Sequence, residues 1–343
     1  MPIFTPDQLR KASIEIFEAA GVPKDEANRV SASLVKANLT NHDSHGIVRI
    51  EQYLRDIREG RIRPGAKIDV VKENTSMALI DGNWGFGQLI AEKAMNMAIE
   101  KARGSSVSCV GAFHCNHIGR LGEWSMMAAE EDMIGMIFNG YWGRRGIVAP
   151  YGGAAGKLVT NPLSVAFPAG EMRPFLVDFA TSVVAEGKVR VKRFNREKVP
   201  MGWILDREGN PTTDPEDLYQ GGVLLPFGGH KGYALCLLIE ALCGPLILPL
   251  SEQLGNQIGL FVIVINISRF TPLEAFKKRI DARFRDIKAT PPAPGFEEVL
   301  IPGEPEFDAE EKSFREGIYV SDQIWQSIVE EAKNLGIDIE NIT

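Results

Sequence analysis

Two side chains able to do proton and anion chemistry stand four apart in the stretch Asn41-His42-Asp43-Ser44-His45-Gly46-Ile47-Val48-Arg49. An imidazole moves a proton near neutral pH. A guanidinium grips a carboxylate through two parallel hydrogen bonds. Ile47, Ile50, Leu54 and Ile57 follow at steps of three, four and three. That period predicts a helix, with His45 and Arg49 as neighbours on another of its faces. Acid–base work on a small carboxylic acid is the chemistry this pair allows. A polar pair four apart is also common on a plain solvated helix face.

Helices before this stretch are expected to position it. Thr5-Pro6-Asp7 offers a cap with proline at the first helical position. Leu9, Ile14, Phe17 and Ala20 carry the helix on until Gly21 and Pro23 stop it. Pro23 to Leu39 forms a second amphipathic segment, and Gly60 to Gly65 reads as a linker, with a boundary near residues 65–75. The character then changes to alternating strands and helices, which points to an α/β layered domain. Strands are expected at Ser76–Asp81, Val107–Ala112, Ile134–Asn139, Ser164–Pro168, Phe175–Phe179 and Leu260–Ile267. Helices are expected at Gln88–Arg103, Leu121–Glu131, Lys231–Leu242 and Ser321–Leu335.

The 343 residues suit two or three domains. Apolar content of 44% and charged content of 24% are those of a soluble globular protein. The net charge of -7 argues against nucleic acid and against an anionic membrane surface as partners. The start carries no basic leader and no apolar run of signal-peptide length. The apolar stretches near Ala234–Leu250 and Leu260–Ile267 are interrupted or too short to span a bilayer. Cys109, Cys115, Cys236 and Cys243 form no CxxC pair, so a reducing, cytoplasmic compartment is expected.

Several motifs look stronger than they are. Gly82-x-x-Gly85-x-Gly87 sits between a strand and a helix, but its spacing reverses the dinucleotide fingerprint. Gly152-Gly153-Ala154-Ala155-Gly156-Lys157 has Tyr151 and Leu158 where a phosphate loop needs glycine and serine or threonine. His42, His45, His114 and His117, with Cys109 and Cys115, invite a zinc reading, yet their spacings match no zinc ribbon. No metal is expected.

Polar–glycine clusters remain: Cys115 to Gly122, Thr160-Asn161-Pro162, Asp178 to Ser182 with Gly187-Lys188, and Pro226 to Tyr233. Glycine lets a backbone approach a ligand closely, and a loop opening a helix offers free N–H groups to phosphate. Each cluster alone is equally a structural turn, and Asp178 can simply cap a helix through Thr181 and Ser182.

In order along the chain, Asp43-Ser44-His45-Gly46-Ile47-x-Arg49, Asn116-His117-Ile118-Gly119, Thr160-Asn161-Pro162, Asp178-x-Ala180-Thr181-Ser182 with Gly187-Lys188, and Gly228-Gly229-His230-Lys231-Gly232-Tyr233 resemble the malate/L-lactate dehydrogenase family. This group also contains ureidoglycolate, sulfolactate and diketogulonate dehydrogenases and piperideine-2-carboxylate reductases. Ile301-Pro302-Gly303-Glu304 and Gly317-Ile318 resemble its C-terminal pattern. The match runs from about residue 5 to 335.

The resemblance implies an NAD- or NADP-dependent oxidoreductase without a Rossmann fold. It implies an α/β fold with a large mixed sheet layered with helices. Residues 1–72 would form a helical part packed with residues 305–343, and residues 73–304 the dinucleotide-binding part. It also implies a homodimer acting on a small 2-hydroxy or 2-oxo acid of malate or lactate type. His45 would be the proton donor and acceptor, helped by Ser44 and Asp178, with His117 as rival. Arg49 and Thr160 would hold the substrate. His117, Ile118, Gly119, Arg120, Leu121, Asp178, Phe179, Ala180, His230, Lys231, Gly303 and Glu304 would contact the dinucleotide. Arg120, Arg144 and Arg145 are candidates for a 2′-phosphate or are surface charges. A cyclic-imine reductase, a ureidoglycolate or sulfolactate dehydrogenase, a metal-dependent hydrolase and a non-catalytic dinucleotide binder are the rival readings. The segment from Gly244 to Gly259 is shorter than the family pattern, as a deletion or a missing loop.

Overall fold

Thr5 caps the first helix by a reciprocal pair of bonds. Gln8 N donates to Thr5 Oγ1 at 3.2 Å, and Thr5 N donates to Gln8 Oε1 at 2.7 Å. The computed structural model describes residues 2–143, 145–249 and 257–339. Its longer helices are α1 (Pro6–Ala19), α2 (Lys24–Leu39), α3 (Ile50–Arg58), α4 (Gly87–Ser105), α5 (Leu121–Glu130), α6 (Glu186–Phe194), α7 (His230–Cys243), α8 (Leu273–Lys288), α9 (Glu304–Glu316) and α10 (Asp322–Asn334). Leu9, Ile16 and Phe17 of α1 pack with Val30 and Leu34 of α2, Tyr53 and Leu54 of α3, and Ile328 and Ala332 of α10. A short antiparallel pairing of Ile3–Phe4 with Ile318–Tyr319 ties the two ends of the chain into this core.

The second layer is a seven-stranded sheet. Its strands are β1 (Asp69–Glu73), β2 (Met77–Asp81), β3 (Val107–Phe113), β4 (Met133–Trp142), β5 (Leu163–Phe167), β6 (Phe175–Phe179) and β7 (Gln257–Asn266). The spatial order is β1-β2-β3-β7-β4-β5-β6. Only β2 and β3 run parallel; the other neighbours are antiparallel. This is the expected large mixed sheet, and it is not the mostly parallel sheet of a Rossmann domain. Leu260, Val262 and Val264 of β7 face α4 and α5, meeting Ala91, Ala94, Met95 and Trp124. Phe261, between them in sequence, faces Ile239 and Cys243 of α7. The two-residue alternation of a strand therefore divides the layers. Residues 250–256, the heart of the condensed 244–259 segment, lie outside the described residues, as does Arg144.

The predicted helix carrying both His45 and Arg49 does not form. Asp43–His45 and Ile47–Arg49 are separate 3₁₀ turns, broken at Gly46, whose backbone is extended (φ -84°, ψ -154°). Asn38, buried at the end of α2, is the cause. Its Oδ1 accepts from Ile47 N at 2.9 Å, and its Nδ2 donates to Asp43 Oδ1 at 2.6 Å. Each side-chain bond holds one turn where a helix would use its own backbone. A Cβ on residue 46 would fall 2.1 Å from Asn38 Oδ1. Gly46→Ala is therefore expected to cost about 1–3 kcal/mol. The measurement is the urea midpoint at unchanged m-value, and in an Asn38→Ala background the penalty should shrink.

Candidate active site

Arg49 folds back across the break. Its Nε donates to the Ser44 carbonyl at 2.6 Å, and its Nη1 donates to Gln52 Oε1 at 2.6 Å. Among the described residues no carboxylate lies within ion-pair distance of this guanidinium. Burial pulls its pKa down. Glu186 acts on it only from farther off, and a half-buried cation gains when an anion comes closer.

Ser44 Oγ lies 3.0 Å from His45 Nδ1, which leaves Nε2 for a reacting group. The His45 and His117 rings are stacked, with centroids 5.3 Å apart. His117 is fixed from behind by Tyr53, whose Oη lies 2.7 Å from His117 Nδ1. Gln88 Nε2 donates to the same Oη at 2.7 Å, so Tyr53 is held between the amide and the imidazole. His45 is pushed down to about 3, first by burial and then by Arg49, His42 and Arg120. Burial, with Arg49 and His45, holds His117 far below the ordinary histidine range. Both imidazoles are thus neutral at pH 7, and His45 keeps Nε2 open to accept a proton.

Asp178, at the end of β6, meets α5. Its Oδ2 accepts from Gly122 N at 2.6 Å and lies 3.8 Å from Arg120 Nε. It caps the N-terminus of α5, whereas the sequence offered Thr181 and Ser182 as partners. Ser44, not Asp178, makes the hydrogen bond to His45. Thr160 contributes its carbonyl, which accepts from Thr181 N at 2.8 Å and Thr181 Oγ1 at 2.9 Å. Its neighbour Asn161 is fully buried at φ 24°, with Oδ1 accepting from Tyr141 N at 3.2 Å. Ile118 and Leu121 are core residues against α4 and the sheet, and Gly119 turns the chain between them.

The remaining candidates sit farther along. Gly228 and Gly229, at φ 55° and 62°, lead into α7, where His230 and Lys231 are exposed. Beside them is a cavity of about 470 Å³ lined by Tyr151, Gly152, Val183, Leu205 and Leu225 among others. Phe179 is exposed and packs edge-on to Phe227, with Ala180 next in line. Gly303 lies against Leu176 of β6, and Glu304 pairs with Lys288 at 2.7 Å. Arg145 is exposed, while Arg120 is buried.

Tyr53, Gln88 and Asn38 escaped the sequence reading. A tyrosine one turn after Arg49, on the apolar stripe, was the available signal for the first. The histidine pairs do not converge as metal ligands, because His114 bonds Asp81 Oδ1 at 2.9 Å and stacks on Trp84. Among the described residues no group of three or more histidine, cysteine, aspartate or glutamate side chains is placed to hold a metal.

A mixed sheet outside the Rossmann class thus carries, between its helical and sheet layers, two stacked neutral imidazoles and a guanidinium with no carboxylate within ion-pair distance among the described residues. Residues 4–329 match the family model described as malate/L-lactate dehydrogenase, and the chain belongs to that family of dehydrogenases. It is 38% identical to a malate/(S)-sulfolactate dehydrogenase of Methanothermus fervidus, over 98% of this chain and 99% of that protein. The solved malate dehydrogenase of Pyrococcus horikoshii superposes with a TM-score of 0.88 at 36% identity, covering 98% of this chain and 96% of that one. The Δ1-piperideine-2-carboxylate reductase of Pseudomonas syringae pvar. tomato superposes with a TM-score of 0.82 at 25% identity, covering 97% and 100%.

Both imidazoles have folded pKa values below the 6.5 of a free histidine. The unfolded chain therefore binds more protons as pH falls below 6.5, and stability held above that pH drains away towards about 3. In His45→Gln the fall of Tm between pH 7 and pH 4 is expected to be shallower than in the parent. An unchanged acid limb would show that His45 is not held neutral.

Proposed function

We propose that this protein interconverts a small 2-hydroxy acid and its 2-oxo acid, with NAD or NADP as hydride carrier. The observation that carries the reading is the half-buried guanidinium of Arg49, with no carboxylate within ion-pair distance among the described residues, beside two neutral imidazoles. Arg49 grips the substrate C1 carboxylate in a bidentate fork. That places C2 and its oxygen against His45 Nε2 and His117 Nε2. In the oxidative direction His45 takes the hydroxyl proton as hydride leaves C2. In the reductive direction it returns that proton to the oxygen. His117, held by Tyr53, donates a hydrogen bond to the same oxygen. Ser44 can accept from or donate to Nδ1, so it supports His45 in either protonation state.

The dinucleotide supplies or accepts the hydride at C4 of its nicotinamide. The residues suit such a ligand: an apolar, glycine-lined cavity for a ring system opens next to Gly228, Gly229 and the exposed Lys231. Asp178 to Ala180, His117 to Leu121 and His230-Lys231 flank its proposed course, with Gly303-Glu304 behind β6. Among the described residues no helix is long and apolar enough to cross a membrane. The four free thiols suit a reducing compartment such as the cytoplasm. Leu237 and Leu238 on the outer face of α7, with Leu246 beyond it, are exposed, which supports a homodimer. Light scattering should give twice the chain mass, and a monomer at micromolar concentration would remove that part of the reading.

Kinetics test the assignment. His45→Ala is expected to lower kcat by roughly 10²–10⁴-fold while dinucleotide binding, followed by its fluorescence, stays near normal. Arg49→Lys should chiefly raise KM for the acid, because the planar fork is lost. If His117→Ala loses turnover and His45→Ala keeps it, the roles of the two imidazoles are reversed. The substrate panel should include oxaloacetate, pyruvate, sulfopyruvate and piperideine-2-carboxylate, each with NADH and NADPH.

A further inference from the structure

Gln88 is the second residue of α4, and none of it is exposed. Gly87 before it lets the start of the helix press on the neighbouring chain, since a Cβ there would fall 2.4 Å from the His117 carbonyl oxygen. That approach sets the amide of Gln88, the phenol of Tyr53 and the ring of His117 in one row, with 2.7 Å at each step. Tyr53 is itself buried, with the rings of Phe17 and Phe86 at 6.5 and 6.1 Å. Neither the amide nor the phenol has water to turn to.

A row of this kind has a direction. Burial pushes the phenol's pKa up, so Tyr53 keeps its one proton. It can give that proton to the imidazole or to the amide, and it accepts from the other. In the first arrangement a Gln88 N–H points at Oη, His117 Nδ1 accepts from the phenol, and the proton of the neutral imidazole sits on Nε2. In the second the amide is turned over, its Oε1 accepts from Oη, and His117 carries its proton on Nδ1. The two differ in what they leave unpaired. The first, which is the one in the structure, leaves Gln88 Oε1 buried without a hydrogen-bond partner among the described residues. The second would put the amide nitrogen there, with both N–H groups idle. Buried carbonyl oxygens go unpaired more readily than buried N–H groups, so the first arrangement is favoured.

We propose that Gln88 and Tyr53 are positioning residues that hold the proton of His117 on Nε2, making this imidazole a standing donor to the substrate oxygen and leaving His45 as the base. This rests on the hydroxyacid reading above and deepens it. His45 has at Nδ1 only the hydroxyl of Ser44, which can give or take a proton, so its protonation state is free to change in the reaction. His117 can exchange its roles only by reversing two buried groups. The stacked rings are thereby given opposite parts.

The test is the tautomer itself. In protein carrying nitrogen-15 histidine, a His117→Gln spectrum identifies which of the five imidazoles is His117. At pH 7 its Nε2 is expected to carry the proton and its Nδ1 to be bare. A proton on Nδ1, or a mixture of the two forms, overturns the inference and leaves the hydroxyacid reading standing. Gln88→Glu, measured in the same way at pH 7 and pH 9, places an acceptor-only group beside Oη once the carboxyl ionises. The phenol should then turn to it and His117 Nδ1 should become protonated; an Nδ1 still bare at both pH values overturns the part given to Gln88. The kcat for reducing a 2-oxo acid should fall with the reversal by roughly 10²–10³-fold, as for the loss of a donor aimed at a developing oxyanion, with KM unchanged. Tyr53→Phe keeps the ring among its aromatic neighbours and serves if the glutamate variant melts early. Its kcat should fall by about 2- to 10-fold, the worth of one neutral hydrogen bond, again at unchanged KM. Variants that raise KM and leave kcat alone would make the row a matter of packing and overturn the inference. A parent that holds the proton on Nε2 yet reduces no 2-oxo acid with either dinucleotide supports the row and overturns the hydroxyacid reading.

Discussion

The hydrogen bond from Arg49 Nε to the Ser44 carbonyl governs the site. It needs the chain to reverse between the two residues, which an unbroken helix forbids. Asn38 forces the break by bonding one turn on each side of Gly46. The reversal then carries three consequences together. Ser44 is turned onto His45, the imidazole is set against His117, and the guanidinium is drawn partly out of water. Taking a charge out of water costs several kcal/mol unless something compensates. The helical core around Phe17, Leu34, Tyr53 and Leu54 sustains that cost.

The same logic joins the two layers. Tyr53 of α3 reaches His117, which follows β3, and Gln88 of α4 completes the relay. Arg29 of α2 bonds Glu92 of α4 at 2.7 Å and Glu123 of α5 at 2.7 Å, with Glu123 also accepting from Ser33 at 2.6 Å. The two stacked imidazoles are therefore split between a residue of the helical layer and a residue of the sheet layer. The polar bonds across that boundary fix their stacking. An arrival of substrate charge at Arg49 would also offset one of the influences that keep His45 unprotonated, coupling ligand binding to proton uptake.

Much of this was legible in the sequence. The long strands were found within a few residues, because their apolar runs are buried on both faces by α4, α5 and α7. The helix over Leu121–Glu130 and its opening loop were equally plain. What sequence missed has physical reasons. β1 is exposed along its whole length and carries no alternation to detect. α6 begins Glu186-Gly187-Lys188 and buries only Val189, so its pattern is faint. α8 was detectable, since Phe276, Ile280, Phe284 and Ile287 repeat at helical steps and pack on Phe167 and Phe175. The break at Gly46 was hidden because the partner that causes it, Asn38, lies eight positions away, and no periodicity reports a side chain bonding to a distant backbone. The residue types of the site were readable; which imidazole had which neighbour was not.

The pairing of Ile3–Phe4 with Ile318–Tyr319, and the packing of α10 on α1 to α3, set the order in which a cell can finish this molecule. The residues that shape the His45 turn leave the ribosome well before the strand and helix that close the core beneath them. At roughly 5–20 residues per second, the interval is on the order of tens of seconds. Through it, Phe4, Phe17 and Leu34 lack the surface they are built to meet. The nascent chain thus carries His45, Arg49 and His117 before the core that holds their turn can close.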